Sequence, residues 1–292
     1  MSLLAILFGL AIERFFDNIE NKRKFDWSVN FSNWVRNKFA NTELWNDTLG
    51  LIVIILLPVF AGAFVYDLLN DALGILGFAF AVIVLVYCLG PQRIHHLARL
   101  YLDAGEFDDQ HSTKTYANEI LGHESPDDNN ATNQKICEKL ITATNDDILA
   151  VFFWFVLLGP MGALLYRITS TLYEHAANES DKTEFCEFNN STRLLFAILL
   201  WIPNQLTTLC FAVTGSFIDA FQQWKEHIAN DYLNPAESNE TLIASGLSAL
   251  QIDSDNHTFE LSTISGVLAL CWRSIIVWVT ALALLTLAGW TG

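Results

Sequence analysis

The sequence predicts an all-α protein, a polytopic bundle of five to six transmembrane helices joined by helical cytoplasmic segments. Three observations carry this expectation. Hydrophobic residues make up 52% of the 292 residues and charged ones only 16%, a balance shifted away from soluble domains. The apolar residues gather in uncharged runs, the longest being the 25 residues 194–218, and about 20 helical residues cross a hydrocarbon core of about 30 Å. The net charge of −16 resides almost wholly in the polar stretches between these runs. Such an acidic surface argues against nucleic acid as a partner and against docking of the soluble faces on anionic lipid.

Residues 1–90 form the first unit. Residues 1–16 read as a short first span without the basic start and small-residue cleavage site of a signal peptide. Residues 13–48 hold six basic side chains and three tryptophans, with Phe31, Trp34, Val35 and Phe39 near helical spacing. That pattern suits a helix lying on the membrane. Residues 49–66 and 72–89 then make a transmembrane hairpin whose turn, residues 67–71, contains two acids and no Lys or Arg. By the positive-inside rule the turn faces outward and both flanking basic segments face the cytoplasm.

Residues 91–147 form the second unit, a polar helical cytoplasmic region. Ile94, Leu97, Leu100 and Tyr101 share one helix face, and the Asp- and Asn-rich stretch 124–133 separates two further helices. Asp103, Glu106, Asp108 and Asp109 read as a solvated face or turn.

Residues 148–292 form the third unit, with three spans and polar connections at 175–193 and 219–260. Residues 148–166 make a run of 19 uncharged residues interrupted by Gly159-Pro160 and ended by Arg167. Proline removes a donor and kinks a helix, and the carbonyls it frees need partners that lipid does not offer. Pro203-Asn204-Gln205 interrupts residues 194–218 in the same way. Two broken spans are thus expected to enclose one polar cleft. Following the chain from the hairpin, residues 175–193 and the C-terminus are expected outside and residues 219–260 inside.

No Walker, GxSxG, HExxH or dinucleotide motif occurs, and the adjacent His95 and His96 point to different helix faces. The five cysteines are odd in number and lack any CxxC, so neither a disulfide framework nor a zinc site is expected. No catalytic residue, metal or cofactor is assigned. Anionic ligand binding is the chemistry the polar groups suit, since guanidinium forks match phosphate or carboxylate. The candidates are Arg93, His96, Tyr166, Arg167, Asn204 and Gln205.

Residues 93–109 read RIHHLARLYLDAGEFDD. Phe153-Trp154 is followed by Gly159-Pro160-Met161-Gly162-Ala163-Leu164-Leu165-Tyr166-Arg167. Trp201-Ile202-Pro203 is followed by Gly215 and by Ala220-Phe221-Gln222-Gln223-Trp224. In this order and spacing the three stretches resemble the CobD/CbiB membrane family of cobalamin biosynthesis and its relative, the AmpE family. The synthetase branch carries an acid and Asn where this chain has Thr142 and Ala143, and polar residues where it has Ser170, Tyr173, Phe196, Ala197 and Leu200. The opening Ile12-Glu13-Arg14-Phe15-Phe16 resembles AmpE.

The resemblance implies a bacterial inner-membrane modulator linked to β-lactamase induction and cell-wall sensing. Its expected partners are the bilayer and an anionic small molecule or another membrane protein, and a homo-oligomer is compatible with it. The alternatives are a CbiB-like ATP-dependent amide-forming synthetase and a small-solute transporter.

Overall fold

A computed structural model of the chain describes residues 2–15, 26–39, 47–89, 93–178, 186–227, 234–252 and 258–288. Among them every regular element is a helix, as the composition predicts. The basic Lys22, Arg23 and Lys24 and the middle of the 175–193 connection lie outside the described residues.

The N-terminal unit comprises α1 (Ser2–Phe15), α2 (Asp26–Phe39), α3 (Asp47–Ala72) and α4 (Gly74–Cys88). Helix α2 turns Val35 into the core and leaves Trp34 exposed with the Lys38 ammonium over its ring. The outer faces of α3 and α4 are apolar and bare, with Phe64 70% and Ile75 80% exposed. In water a patch of that extent is an aggregation liability, whereas in a bilayer it is the ordinary lipid-facing surface.

The polar region folds into α5 (Arg93–Glu106), α6 (Gln110–Leu121) and α7 (Asn129–Thr144). Their ends are set by local chemistry. Asp109 caps α6 by accepting from the Ser112 amide, Gly122 closes it in the left-handed conformation (φ 75°), and Asp128 caps α7 through the Asn130 and Ala131 amides. The break between α6 and α7 is therefore shorter than the expected stretch 124–133.

Beyond α7 the structure differs from the sequence expectation. Helix α7 does not stop at Asp147. It passes through a π-helical turn, Asn145–Leu149, directly into α8 (Ala150–Leu158). The chain then reverses at Gly159 (φ 69°, ψ −160°), a conformation open only to glycine, and Pro160 opens α9 (Pro160–Asn178) with its φ already helical. Gly162 comes back against Trp154 so closely that a Cβ would lie 2.3 Å from the Trp154 carbonyl oxygen. Arg167 meets Asp147 at 2.8 Å.

Residues 148–166 are thus a tight helical hairpin and not one kinked span. The glycine before Pro160 allows full reversal where proline alone would give a bend. From Asp147 to Leu158 the rise is about 16 Å, about half of a hydrocarbon core.

Helix α10 (Cys186–Thr214) runs unbroken through Pro203. The helix carbonyl that Pro203 leaves without a donor belongs to Leu199, four residues earlier. Trp154 of the hairpin fills that vacancy, its Nε1–H donating to the Leu199 oxygen at 3.0 Å. Helix α11 (Phe217–His227) folds back along α10, α12 (Pro235–Ala249) packs beside both, and α13 (Leu261–Leu287) closes the bundle.

Four helices are long and apolar enough to cross a membrane: Leu49–Ala72, Asn129–Leu158, Asn190–Thr214 and Leu261–Thr286. Leu3–Ile12 and Gly74–Cys88 are shorter apolar helices. Two cores stack along the molecule. One joins α1, α2, α3, α4, α8, α9, the middle of α10 and the second half of α13; the other joins α5, α6, α7, the end of α10, α11, α12 and the first half of α13.

Because the hairpin returns beside its own entry, residues following α9 emerge on the face from which α7 enters. Single cysteines at Ala176 (Ala176→Cys) and at Thr115 on α6 (Thr115→Cys), in a cysteine-free background, should react with an impermeant thiol reagent from the same side of the membrane. Labelling from opposite sides would restore a full crossing at 148–166.

Candidate functional site at the foot of the hairpin

The π-turn widens the backbone by one residue per turn and is a feature often placed at functional sites. Here it presents Asn145, Asp146 and Asp147 in succession toward different neighbours. Asn145, fully buried, donates through Nδ2 to Asn204 Oδ1 (2.6 Å) and to Asp146 Oδ1 (2.9 Å), and accepts at Oδ1 from Thr207 Oγ1 (2.7 Å). Asn204 passes the contact on, its Nδ2 donating to Ser238 Oγ (2.6 Å) and Asn239 Oδ1 (3.2 Å). One chain of amides and hydroxyls therefore ties the hairpin to α10 and α12. Buried polar groups of this kind are stabilising only when the network is closed.

Asp147 turns the other way and accepts from Arg167 Nη1 at 2.8 Å, with the two side chains 18% and 13% exposed. Tyr166, beside Arg167, is fully buried against Phe196, and its hydroxyl has no hydrogen-bond partner among the described residues. Glu174 lies two turns beyond Arg167 on the same side of α9, within electrostatic reach of Arg167 and Asp147. Two acids, Asp147 and Glu174, thus act on one guanidinium, which Asp147 already engages.

Helix α5 reaches the same place. His95 is buried, and its Nε2 lies 2.9 Å from Thr144 Oγ1. The Thr144 hydroxyl proton goes to the Leu140 carbonyl at 2.6 Å, so His95 Nε2–H is assigned as the donor and the ring is neutral. Burial is the main reason its pKa falls to about 4. Asp147 nearby raises it and Arg99 lowers it.

Of the residues singled out from sequence, Tyr166, Arg167 and Asn204 converge on this foot. Gln205 faces the other way and accepts a hydrogen bond from Trp224 on α11. His96 is exposed, on the opposite side of α5 from His95, and the Arg93 side chain lies outside the described ones. Gly159 and Pro160 make the reversal, while Pro203 sits within a continuous helix.

Sequence reasoning passed over Asn145, Asp147 and His95. Reading Gly-Pro as a reversal would have found Asp147, because it sets residues 147 and 167 opposite each other. Among the described residues no three His, Cys, Asp or Glu side chains gather as a metal site. The arrangement is a latch: an ion pair across the two legs of a hairpin, backed by an amide network.

Comparison with known proteins fits this architecture. The family described as "Regulatory signalling modulator protein AmpE" matches residues 1–291, and the chain belongs to that family. Weaker similarity links it to cobalamin biosynthesis proteins. A CobD of Pelobacter propionicus is 24% identical over 165 residues, 56% of this chain and 50% of the relative. A CobD of Chromobacterium violaceum is 24% identical over 115 residues, 39% of this chain and 35% of the relative. A probable CobD of Thermococcus kodakarensis is 32% identical over 83 residues, 28% of each. The chain thus aligns with half or less of the length of each of these three relatives. No solved structure matches it.

Two measurements test the latch. Arg167→Leu leaves Asp147 buried without its partner and should cost about 3–5 kcal/mol, seen as a lower midpoint of thermal unfolding, while the double variant Asp147→Leu/Arg167→Leu should recover much of the loss. Additive losses would mean that the pair is not coupled.

The second is pH dependence. The folded pKa of His95, about 4, lies below its ordinary value of 6.5, so between these values the unfolded chain binds the extra proton. Stability should be fully present above about pH 6.5 and decline by up to about 3 kcal/mol as pH falls toward 4. His95→Gln should flatten that decline, and an unchanged pH profile would assign it to other groups.

Proposed function

We propose that this chain is a non-catalytic signalling modulator of the bacterial inner membrane, linked to β-lactamase induction. In this reading the hairpin foot is its switch. An anionic ligand, or a carboxylate or phosphate on a partner membrane protein, competes with Asp147 for Arg167. Displacing Asp147 uncouples the legs of the hairpin and changes the surface that the protein offers to its partner.

The observation that carries this reading is the closed Arg167–Asp147 pair at 2.8 Å. A catalytic carboxylate has to be available to substrate or metal, whereas Asp147 is held by Arg167 and Asp146 accepts from Asn145. A ligand-shifted equilibrium needs two arrangements of comparable energy, and a buried ion pair whose guanidinium could accept an alternative anion supplies them.

The CobD relatives favour a second reading, an ATP-dependent amide-forming synthetase. The two readings separate in one pair of experiments. Deleting the chain should change induced β-lactamase activity in a host that carries the inducible enzyme, and Arg167→Lys, made at normal protein level, should reproduce part of that change. The purified protein should show no magnesium-dependent ATP turnover above that of the same preparation without it. Clear turnover would replace the modulator reading with the synthetase.

A further inference from the structure

At the end of α7 away from the hairpin, the helical region encloses a cleft of about 400 Å³ between α5, α6, α7 and the start of α13. That volume is within the range of sites for small organic ligands. The cleft is separate from the hairpin foot: from Asn133 in its floor to Asn145 the helix rises about 18 Å.

Its floor is built from buried polar groups whose positions are fixed. Tyr101 donates to Asn133 Oδ1 at 2.7 Å, and Asn133 Nδ2 donates to the Phe259 carbonyl at 2.7 Å, just ahead of α13. Thr132 Oγ1 donates to the Pro126 carbonyl at 3.0 Å, and the Ser125 amide donates to Asn118 Oδ1 at 2.7 Å, which fixes the α6–α7 connection as one wall. These side chains keep acceptor lone pairs beyond the bonds they donate. Gly105 lets α5 approach closely, since a Cβ there would come within 2.7 Å of Leu261 Cδ1 and shift that side chain. The walls are thus preformed, which lowers the ordering cost of binding.

The lining also selects a chemistry. Lys114 pairs with Asp127 at 3.2 Å on the rim, which leaves Asp108 as the cleft's other charged side chain. An anion would meet that carboxylate and a chain of net charge −16. An apolar ligand would cover the amides and hydroxyls without pairing them, a cost of about 1–3 kcal/mol per group. Hydroxyl groups, which donate and accept equally, match a mixed set of Tyr, Thr, Asn, Gln and Asp.

We propose that this cleft binds an uncharged, hydroxyl-rich small molecule of mono- to disaccharide size. Such a ligand would bridge α5, α6 and the start of α7 at the outer end of the helix whose inner end forms the π-turn. The signalling consequence rests on the modulator reading, but the binding itself does not.

The test uses the full chain in lipid nanodiscs, titrated separately with glucose, trehalose, sucrose, lysine and inorganic phosphate. Binding is followed by calorimetry and saturation-transfer NMR. At least one sugar should bind saturably, and Asp108→Asn and Gln110→Ala, both at exposed rim positions, should each weaken it by about tenfold. A thermal midpoint equal to that of the parent chain shows that the variants fold, and Gln110→Ala alone decides if Asp108→Asn does not. Failure of all three sugars, preference for lysine or phosphate, or sugar affinity unchanged in the folded variants overturns the proposal. Sugar binding with no effect of the chain on β-lactamase induction would retain the site and remove the modulator reading.

Discussion

A polar group in apolar surroundings must find its partner within the protein, because each one left alone costs several kcal/mol. The α8–α9 hairpin is where this chain meets that demand most densely. Reversal at Gly159 brings Arg167 to Asp147, and it aims Trp154 at the carbonyl that Pro203 leaves without a donor. Asn145, at the head of the π-turn, joins Asn204 on α10, which in turn holds Ser238 and Asn239 on α12. Two features that would each weaken a helix in isolation, a proline and a wide turn, are placed so that one element answers both. The hairpin is thereby tied directly to α10 and, through Asn204, to α12.

This dependence explains what could be read from the sequence and what could not. The helical class, the apolar runs and the amphipathic α5 follow from local periodicity, which residues such as Leu97, Ala98 and Tyr101 satisfy by all being buried. Gly159-Pro160 was recognisable as a break, but its sense depends on a positive φ and on a contact between Gly162 and Trp154 that no local pattern encodes. The π-turn is likewise invisible in composition, since Asn and Asp, weak helix formers, suit a cap or an ordinary turn equally well. Tyr166, Arg167 and Asn204 were found because they are polar within apolar runs. Asn145 and Asp147 were passed over because they stand at the edge of one, where a solvated group is the ordinary expectation.

Similarity to the CobD proteins covers parts of the chain only, whereas the AmpE profile covers residues 1–291. The geometry is consistent with this difference in extent. Of the positions at which this chain departs from the synthetase-branch pattern, Phe196, Ala197 and Leu200 are buried and apolar. Tyr173 stacks on Phe196 with ring centroids 4.6 Å apart. Aromatic packing thus occupies the space between α9 and α10, and a charge introduced there would have to be desolvated.

The π-turn has a consequence for motion along the helix axis. It stores one residue more than an α-helical turn, and shifting that surplus by one position rotates the residue it passes by about 100° while displacing the helix by only about 1.5 Å. Helix α7 continues into α8 without a loop, so the surplus can travel without breaking the helix as a whole. Each step would exchange which of Asn145, Asp146 and Asp147 is turned toward Arg167. A step of this kind would link the helical region at one end of the helix to the hairpin at the other.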